Sequence, residues 1–411
     1  MNFITVIILA ALLTDYMLHI VADILNLKMV RDELPEAFRG YYDSEGYGKA
    51  QKYLRANTRF GWITASFNLL VILLFWFGKG FPFLDGWVRA FNTGSIVTGL
   101  LYMGALLLLR FILALPFNIY STFVIEERFG FNKTTWTIFA ADIVKGVALS
   151  VLLGAPLLGG VLAFFEYAGS NAWWYCWIAV TVFMLIVQYV APTWIMPLFN
   201  AFDPLEEGEL KKAILSYARS IAFPLENIYV MDGSKRSSKS NAFFTGFGKR
   251  KRIVLFDTLI KQHTVSELVT VLAHEMGHYK KRHILQTVIF GILQTGVMFF
   301  LLSVFISYQG LFDAFYMKNA SAYTGLIFFG MLYSPIDFVL GIFMQMLSRK
   351  NEYEADWFAV KTTRDPNSLV VALKKLSVHN LSNLIPHPLY VFINYSHPPV
   401  LERINAILTR Q

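Results

Sequence analysis

The most regular feature of the chain is the alternation of long apolar runs with shorter polar connections. The apolar runs lie at residues 3–23, 62–78, 94–116, 137–163, 173–196, 284–308 and 322–347. Each approaches or exceeds the ~20 residues a helix needs to cross about 30 Å of hydrocarbon. A backbone in lipid must satisfy its own hydrogen bonds, so runs of this length predict helices. The expected fold is mainly α: a polytopic membrane protein with seven transmembrane helices. The first run has no basic leader and no small-x-small cleavage site, so it reads as a retained anchor rather than a signal peptide.

The polar segments have shorter periodicities. EGELKKAILSYARSIAF (207–223) repeats like a helix, while NIYVMDG (227–233), NAFFTGF (241–247) and RIVLF (252–256) read as strands. GKRKR (248–252) is expected to form a hairpin turn between the last two. HTVSELVTVLAHEMGHYKKRH (263–283) predicts a helix capped by Thr264 or Ser266, with Val265, Leu268, Val271 and Leu272 on its apolar stripe. SRKNEYEADWFAV (348–360) is a further helical stretch, and 40–61 is expected to be a polar loop rich in Tyr and Gly. Four regions follow: a membrane domain of five transmembrane helices (1–196), a small α+β insertion (197–283), two more transmembrane helices (284–348) and a soluble C-terminal segment (349–411).

Composition agrees. Of 411 residues, 55% are hydrophobic and only 16% charged, against about 25% charged in ordinary globular chains. The single cysteine, Cys176, excludes an intramolecular disulfide framework. The net charge of +8 could suit nucleic acid, but no nucleic-acid motif accompanies it. The basic residues instead sit in loops, where they set orientation. Lys+Arg number seven in 24–61, two in 117–136 and eight in 349–411, against Lys79 and Arg89, none in 164–172, and Lys318 in the opposite loops. The positive-inside rule puts the N-terminus outside, and the C-terminus and the 197–283 insertion in the cytoplasm.

The chemistry lies in HEMGH (274–278). Positions i and i+4 share a helix face, so His274 and His278 can hold one zinc ion, with Glu275 beside it as a base toward activated water. A catalytic zinc takes a third protein ligand and keeps one position open. Two spans separate His278 from NEYEAD (351–356), and an even number of crossings returns the chain to the same membrane face. Glu352 and Asp356 share a helical face and Glu354 points elsewhere, so Glu352 or Asp356 can complete the set while the other holds a histidine N–H. His19, His263, His283, His379 and His387 read as packed or solvated histidines, and YKKRH (279–283) as a basic interfacial anchor. Asp15, His19, Arg110, Asp142, Lys145 and Gln188 fall inside spans, where they should face the interior rather than lipid.

At these residues the chain resembles the integral-membrane peptidases of the CAAX prenyl protease type I family. The resemblance extends through EERFGFNKTT (126–135), APTWIMPLFNAFDPL (191–205), SNAFFTGFGKRKRIVLFDTL (240–259) and YSHPPVLERI (395–404). It implies a large chamber enclosed by the seven helices, one zinc ion per chain, Glu352 as third ligand and Asp356 behind the ligands. It also implies an edge strand beginning at Asn241, with Ala242 and Phe243 beside the substrate, and His397 and Arg403 near the metal, acting on the scissile carbonyl. Such a strand can pair with an extended peptide. His397 precedes a Pro-Pro pair that fixes its backbone, and a donor near the developing oxyanion suits hydrolysis.

The expected activity is therefore zinc-dependent endopeptidase cleavage near the C-terminus of lipid-anchored or membrane-associated proteins. Peptide substrate and membrane lipids are the expected partners, and nucleic acid is not. The site should face the cytoplasm, from the inner membrane of a bacterium or the endoplasmic reticulum of a eukaryote. The alternatives are a membrane-protein quality-control protease of HtpX type, a zinc transporter that binds without hydrolysing, and an inactive scaffold. Glu275 would have no task in a transporter and should be missing from a scaffold.

Overall fold

The computed structural model describes residues 2–245 and 251–409. Among the described residues seven helices are long and apolar enough to cross a membrane: Phe3–Lys28, Ser44–Phe77, Ser95–Glu126, Trp136–Tyr167, Gly169–Leu198, His283–Phe305 and Ala322–Thr363. Each covers one of the expected runs, but several extend well beyond it. The segment expected as a polar loop at 40–61 is largely helix, started at Ser44 by the Asp43 carboxylate, which accepts from the Gly46 N–H. An apolar run marks only the part of a helix that sits in lipid. Residues 44–61 contain no proline and several good helix formers, so the helix continues into water. The last membrane helix does the same, carrying NEYEAD to Thr363 without interruption.

The spans do not pack into a solid bundle. In the most apolar window of each, between 0% and 17% of residues are buried inside the molecule. The buried side chains gather instead into separate cores. One core gathers Trp76, Phe81, Tyr102, Cys176, Phe312, Phe315 and Phe328. Asp85 braces it, accepting from Arg89 and from the Tyr323 hydroxyl. The other core lies in the polar unit and contains Ile214, Ile253, Leu255, Leu268, Leu272, Met276, Leu369 and Ile404.

That unit holds a four-stranded sheet of order β1-β2-β4-β3. The strands are β1 (Phe202–Pro204), β2 (Leu225–Met231), β3 (Ala242–Thr245) and β4 (Lys251–Phe256). β2 and β4 run parallel, β3 lies antiparallel to β4, and β1 antiparallel to β2. The short β1 was not expected from the sequence. In the turn expected at 248–252, residues 248–250 lie outside the described residues, as do 246–247 of the second expected strand. Among the described residues β3 is at the edge of the sheet.

The helix carrying HEMGH runs Val265–Lys280 and opens with a capping box between Thr264 and Glu267. Lys375 anchors that end from a neighbouring helix, with Nζ 2.8 Å from both Glu267 carboxylate oxygens. The helix stops before the expected boundary at His283. Arg282 adopts the left-handed conformation (φ 61°), and His283 begins the next membrane helix.

The motif helix packs along the polar end of Ala322–Thr363. They pack tightly at Gly277, where an added Cβ would sit 3.2 Å from Ala355 Cα and 3.3 Å from its carbonyl oxygen. Backbone atoms cannot swing aside as a side chain can. Gly277→Val should therefore force the helices apart and destabilise the unit by about 1–3 kcal/mol, the usual cost of overpacking. Thermal unfolding of the purified variant measures this, and a parental midpoint would contradict the account.

Candidate metal centre

Gly277 sits between His274 and His278 in sequence, and Ala355 between Glu352 and Asp356. The helix contact at these two small residues thus brings two imidazoles of one helix against two carboxylates of the other. The two histidine Nε2 atoms are 3.1 Å apart. Glu352 Oε1 lies 3.2 Å from His278 Nε2, and its Oε2 3.5 Å from His274 Nε2. One atom from each of the three residues falls within 4.8 Å of the others.

This donor set fits a metal ion. Nitrogens bound tetrahedrally at 2.0–2.1 Å lie about 3.3 Å apart, close to the separation seen here. Glu352 Oε2 is buried without an aligned hydrogen-bond donor among the described residues. His397 Nδ1 at 2.9 Å and an Arg403 nitrogen at 3.3 Å approach it, but their geometry is that of charge proximity, not a directed hydrogen bond. An ionised oxygen held in this way is costly unless a cation completes it.

The outer nitrogen of His274 is held firmly. Its Nδ1 is 2.8 Å from Asp356 Oδ1, and Arg403 clamps Asp356 through Nε (2.8 Å) and one terminal nitrogen (2.7 Å). With the Nδ1 proton directed at Asp356, Nε2 is the nitrogen left to bind an ion once its own proton leaves. Burial opposes charge on His274, but its hydrogen bonds to Asp356 and Glu352 outweigh burial and push its pKa up to about 10. Burial likewise opposes charge on Arg403, and Asp356 and Glu352 overcome it, raising the pKa of the guanidinium.

Glu275 is half-buried and makes no hydrogen bond or ion pair among the described residues, although its charge adds to the field on Arg403. His397 is open to the site, its side chain 65% exposed. Asn241 leads into β3, its side chain accepting from the Ala242 N–H and its carbonyl from Phe256 N. Ala242 and Phe243 follow on the edge strand. Phe244 packs against Tyr279, the residue after His278, which lays the strand beside the motif helix.

One residue departs from the sequence reading. His283, expected to be an uninvolved histidine, is only 3% exposed and sits behind His278, the two Nδ1 atoms 3.1 Å apart. Its Nε2 meets Glu354 at 3.3 Å. The other histidines stay away from the donors: His263 bonds the Leu259 carbonyl, and His387 caps a short helix by accepting from Leu389 N. Spacing offered no clue to His283, because the backbone reversal at Arg282 swings it under His278.

Residues 204–411 match the profile of peptidase family M48, and residues 23–201 that of the CAAX prenyl protease N-terminal region with five membrane helices. The chain is 36% identical to CAAX prenyl protease 1 of Saccharomyces cerevisiae, over 92% of this chain and 89% of that one. It is 37% identical to probable CAAX prenyl protease 1 of Schizosaccharomyces pombe (92% and 83%) and 33% identical to the human CAAX prenyl protease 1 homolog (89% and 87%). The crystal structure of S. mikatae Ste24p superposes with a TM-score of 0.94 at 33% identity, covering 99% of both chains.

A proton on His274 competes with any metal for the site. Since its pKa is raised to about 10, the proton is bound throughout the neutral range and must leave on metal uptake. Apparent metal affinity should then fall about tenfold per pH unit lowered for each proton displaced. Chelator competition at pH 8 and pH 6 measures this, and equal affinity at both would contradict it.

Proposed function

Since this chain belongs to peptidase family M48, as an integral-membrane metallopeptidase with the CAAX prenyl protease N-terminal region, we propose that it holds one zinc ion and cuts peptide bonds near the C-terminus of prenylated, membrane-anchored proteins. The observation that carries this reading is the convergence of His274, His278 and a buried, under-satisfied Glu352 where two helices meet beside a sheet edge. Bound there, zinc would supply Lewis acidity toward water and the scissile carbonyl.

The remaining roles belong to side chains. His274, His278 and Glu352 hold the ion. Asp356 fixes the His274 ring, and Arg403 fixes Asp356. Glu275, unpaired and next to the first ligand, takes the proton from the attacking water and returns it to the leaving amine. His397, exposed toward the site, donates to the oxygen that becomes negative as the carbonyl is attacked, and the Arg403 charge supports that oxygen from behind. The substrate backbone lies along Asn241, Ala242 and Phe243 in β3, and its lipid anchor reaches into the interior between the helices. Loop charge favours a site facing the cytoplasm, and the similarity to yeast and human relatives favours the endoplasmic reticulum.

Glu275→Ala should keep its zinc and lose peptide cleavage by several orders of magnitude. Metal analysis and a reporter peptide measure both, and near-parental cleavage would refute the role. For substrate choice, a prenylated peptide should be cut more efficiently than its unprenylated twin, chiefly through a lower KM, because the anchor binds away from the reacting bond. Equal kcat/KM for the two would count against the anchor.

A further inference from the structure

Of the two histidines assigned to zinc, only His274 has so far been given a partner for its outer nitrogen. His278 has one of a different kind. Among the described residues its Nδ1 meets a single group, Nδ1 of His283, at 3.1 Å. The other His283 nitrogen lies 3.3 Å from Glu354 Oε2. We propose that His283 is a positioning residue for the metal site, holding His278 through a hydrogen-bonded relay His278–His283–Glu354.

The argument rests on the zinc reading above and follows from counting protons. For Nε2 of a neutral His278 to present a lone pair to the metal, its proton must sit on Nδ1. That proton then points at His283 Nδ1, which must accept it. A neutral His283 accepting at Nδ1 carries its own proton on Nε2, directed at the Glu354 carboxylate. One tautomer at each ring satisfies both contacts of the relay, and the acid at its end sets both. This mirrors the arrangement at His274, with imidazole and Glu354 in place of Asp356 and Arg403.

Burial and backbone support this assignment. His283 is 3% exposed, and a buried imidazole with unmet polar atoms would be destabilising. Both its nitrogens are instead within reach of a partner. The left-handed turn at Arg282 (φ 61°) separates the motif helix from the membrane helix. It allows a side chain five positions after His278 to return beneath it, where an unbroken helix would carry that side chain past. Glu354 comes from the same helix as Glu352, so one element supplies a ligand to the metal and the end of this relay.

The test compares two replacements. His283→Asn keeps an acceptor near the position of Nδ1, whereas His283→Leu keeps bulk and removes the acceptor. Losing such a partner typically weakens metal binding 10–100-fold. In full-length protein in detergent, His283→Leu should bind zinc about 10–100-fold more weakly by chelator competition. Its cobalt-substituted form should show shifted visible bands, and His283→Asn should restore both affinity and spectrum to near the parent. Parental affinity in His283→Leu overturns the proposal, as does an equal loss in the two variants, which would mean packing alone. If His283→Leu does not fold, Glu354→Leu decides the matter. Glu354 is 41% exposed, so folding should tolerate the change, and the relay requires a several-fold loss of zinc affinity; unchanged affinity overturns it. A parent protein that takes up no zinc would refute the zinc reading, whereas a zinc-binding parent indifferent to position 283 refutes the relay alone.

Discussion

The polar half of the molecule depends on one contact, the approach of Gly277 to Ala355. A Cβ added at Gly277 would lie 3.2 Å from Ala355 Cα and 3.3 Å from its carbonyl oxygen, so the helices keep this spacing only because position 277 has none. The contact also sets which side chains meet, because the residues flanking Gly277 are the histidines and those flanking Ala355 are the acids. Leu272, Ala273, Met276 and Ala359, all fully buried, pack around the same seam. The capping box at Thr264 and the Lys375 clamp on Glu267 fix the far end of the motif helix. The last membrane helix needs no comparable device, since one continuous helix links the membrane to the site.

Bringing these helices together places several ionisable groups out of water. Buried ion pairs are stabilising only when geometry and hydrogen bonding are nearly complete, and removing one member leaves a charge exposed to a poor solvent. Asp356 meets this condition: it accepts from Arg403 at both oxygens and faces His274 with Oδ1. Glu352 does not, since its Oε2 has no aligned donor. Within the site the incompleteness is confined to this Oε2, 3.5 Å from His274 Nε2, while Asp356 and Arg403 behind it are satisfied. Unmet polarity of this kind is what a cation site leaves when the surrounding protein is otherwise well made.

Much of the membrane architecture could be read from the sequence, because spans are defined by length and apolarity, which are local properties. The even number of crossings between HEMGH and NEYEAD was equally legible, and it explains why distant residues share a membrane face. What could not be read depends on relations between segments. The three-residue β1 has no period to detect, and the parallel pairing of β2 with β4 joins strands separated by β3. Helix extensions such as 44–61 carry no apolar signal, because water satisfies their outer faces. His283 was missed because its position depends on a left-handed arginine, a conformation that residue type does not favour.

The same reasoning explains how the membrane and polar halves are joined ahead of β3. The loop entering that strand is held by membrane helices and by the connection between two of them. Arg236 donates two hydrogen bonds of 2.8 Å to Asp142. Ser238 bonds the carbonyls of Gly130 and Phe131. Lys239 lies 2.8 Å from both Glu126 and the Tyr53 hydroxyl, over the face of Phe131. Three residues later the edge strand begins, packed through Phe244 against Tyr279 of the motif helix. The strand is thus held at one end by the membrane helices and along its side by the motif helix. An extended chain pairing with β3 would therefore meet the site in a register set by the membrane helices themselves. Under the proposed function, that attachment is what would turn the position of an anchor in the membrane into a choice of which peptide bond is cut.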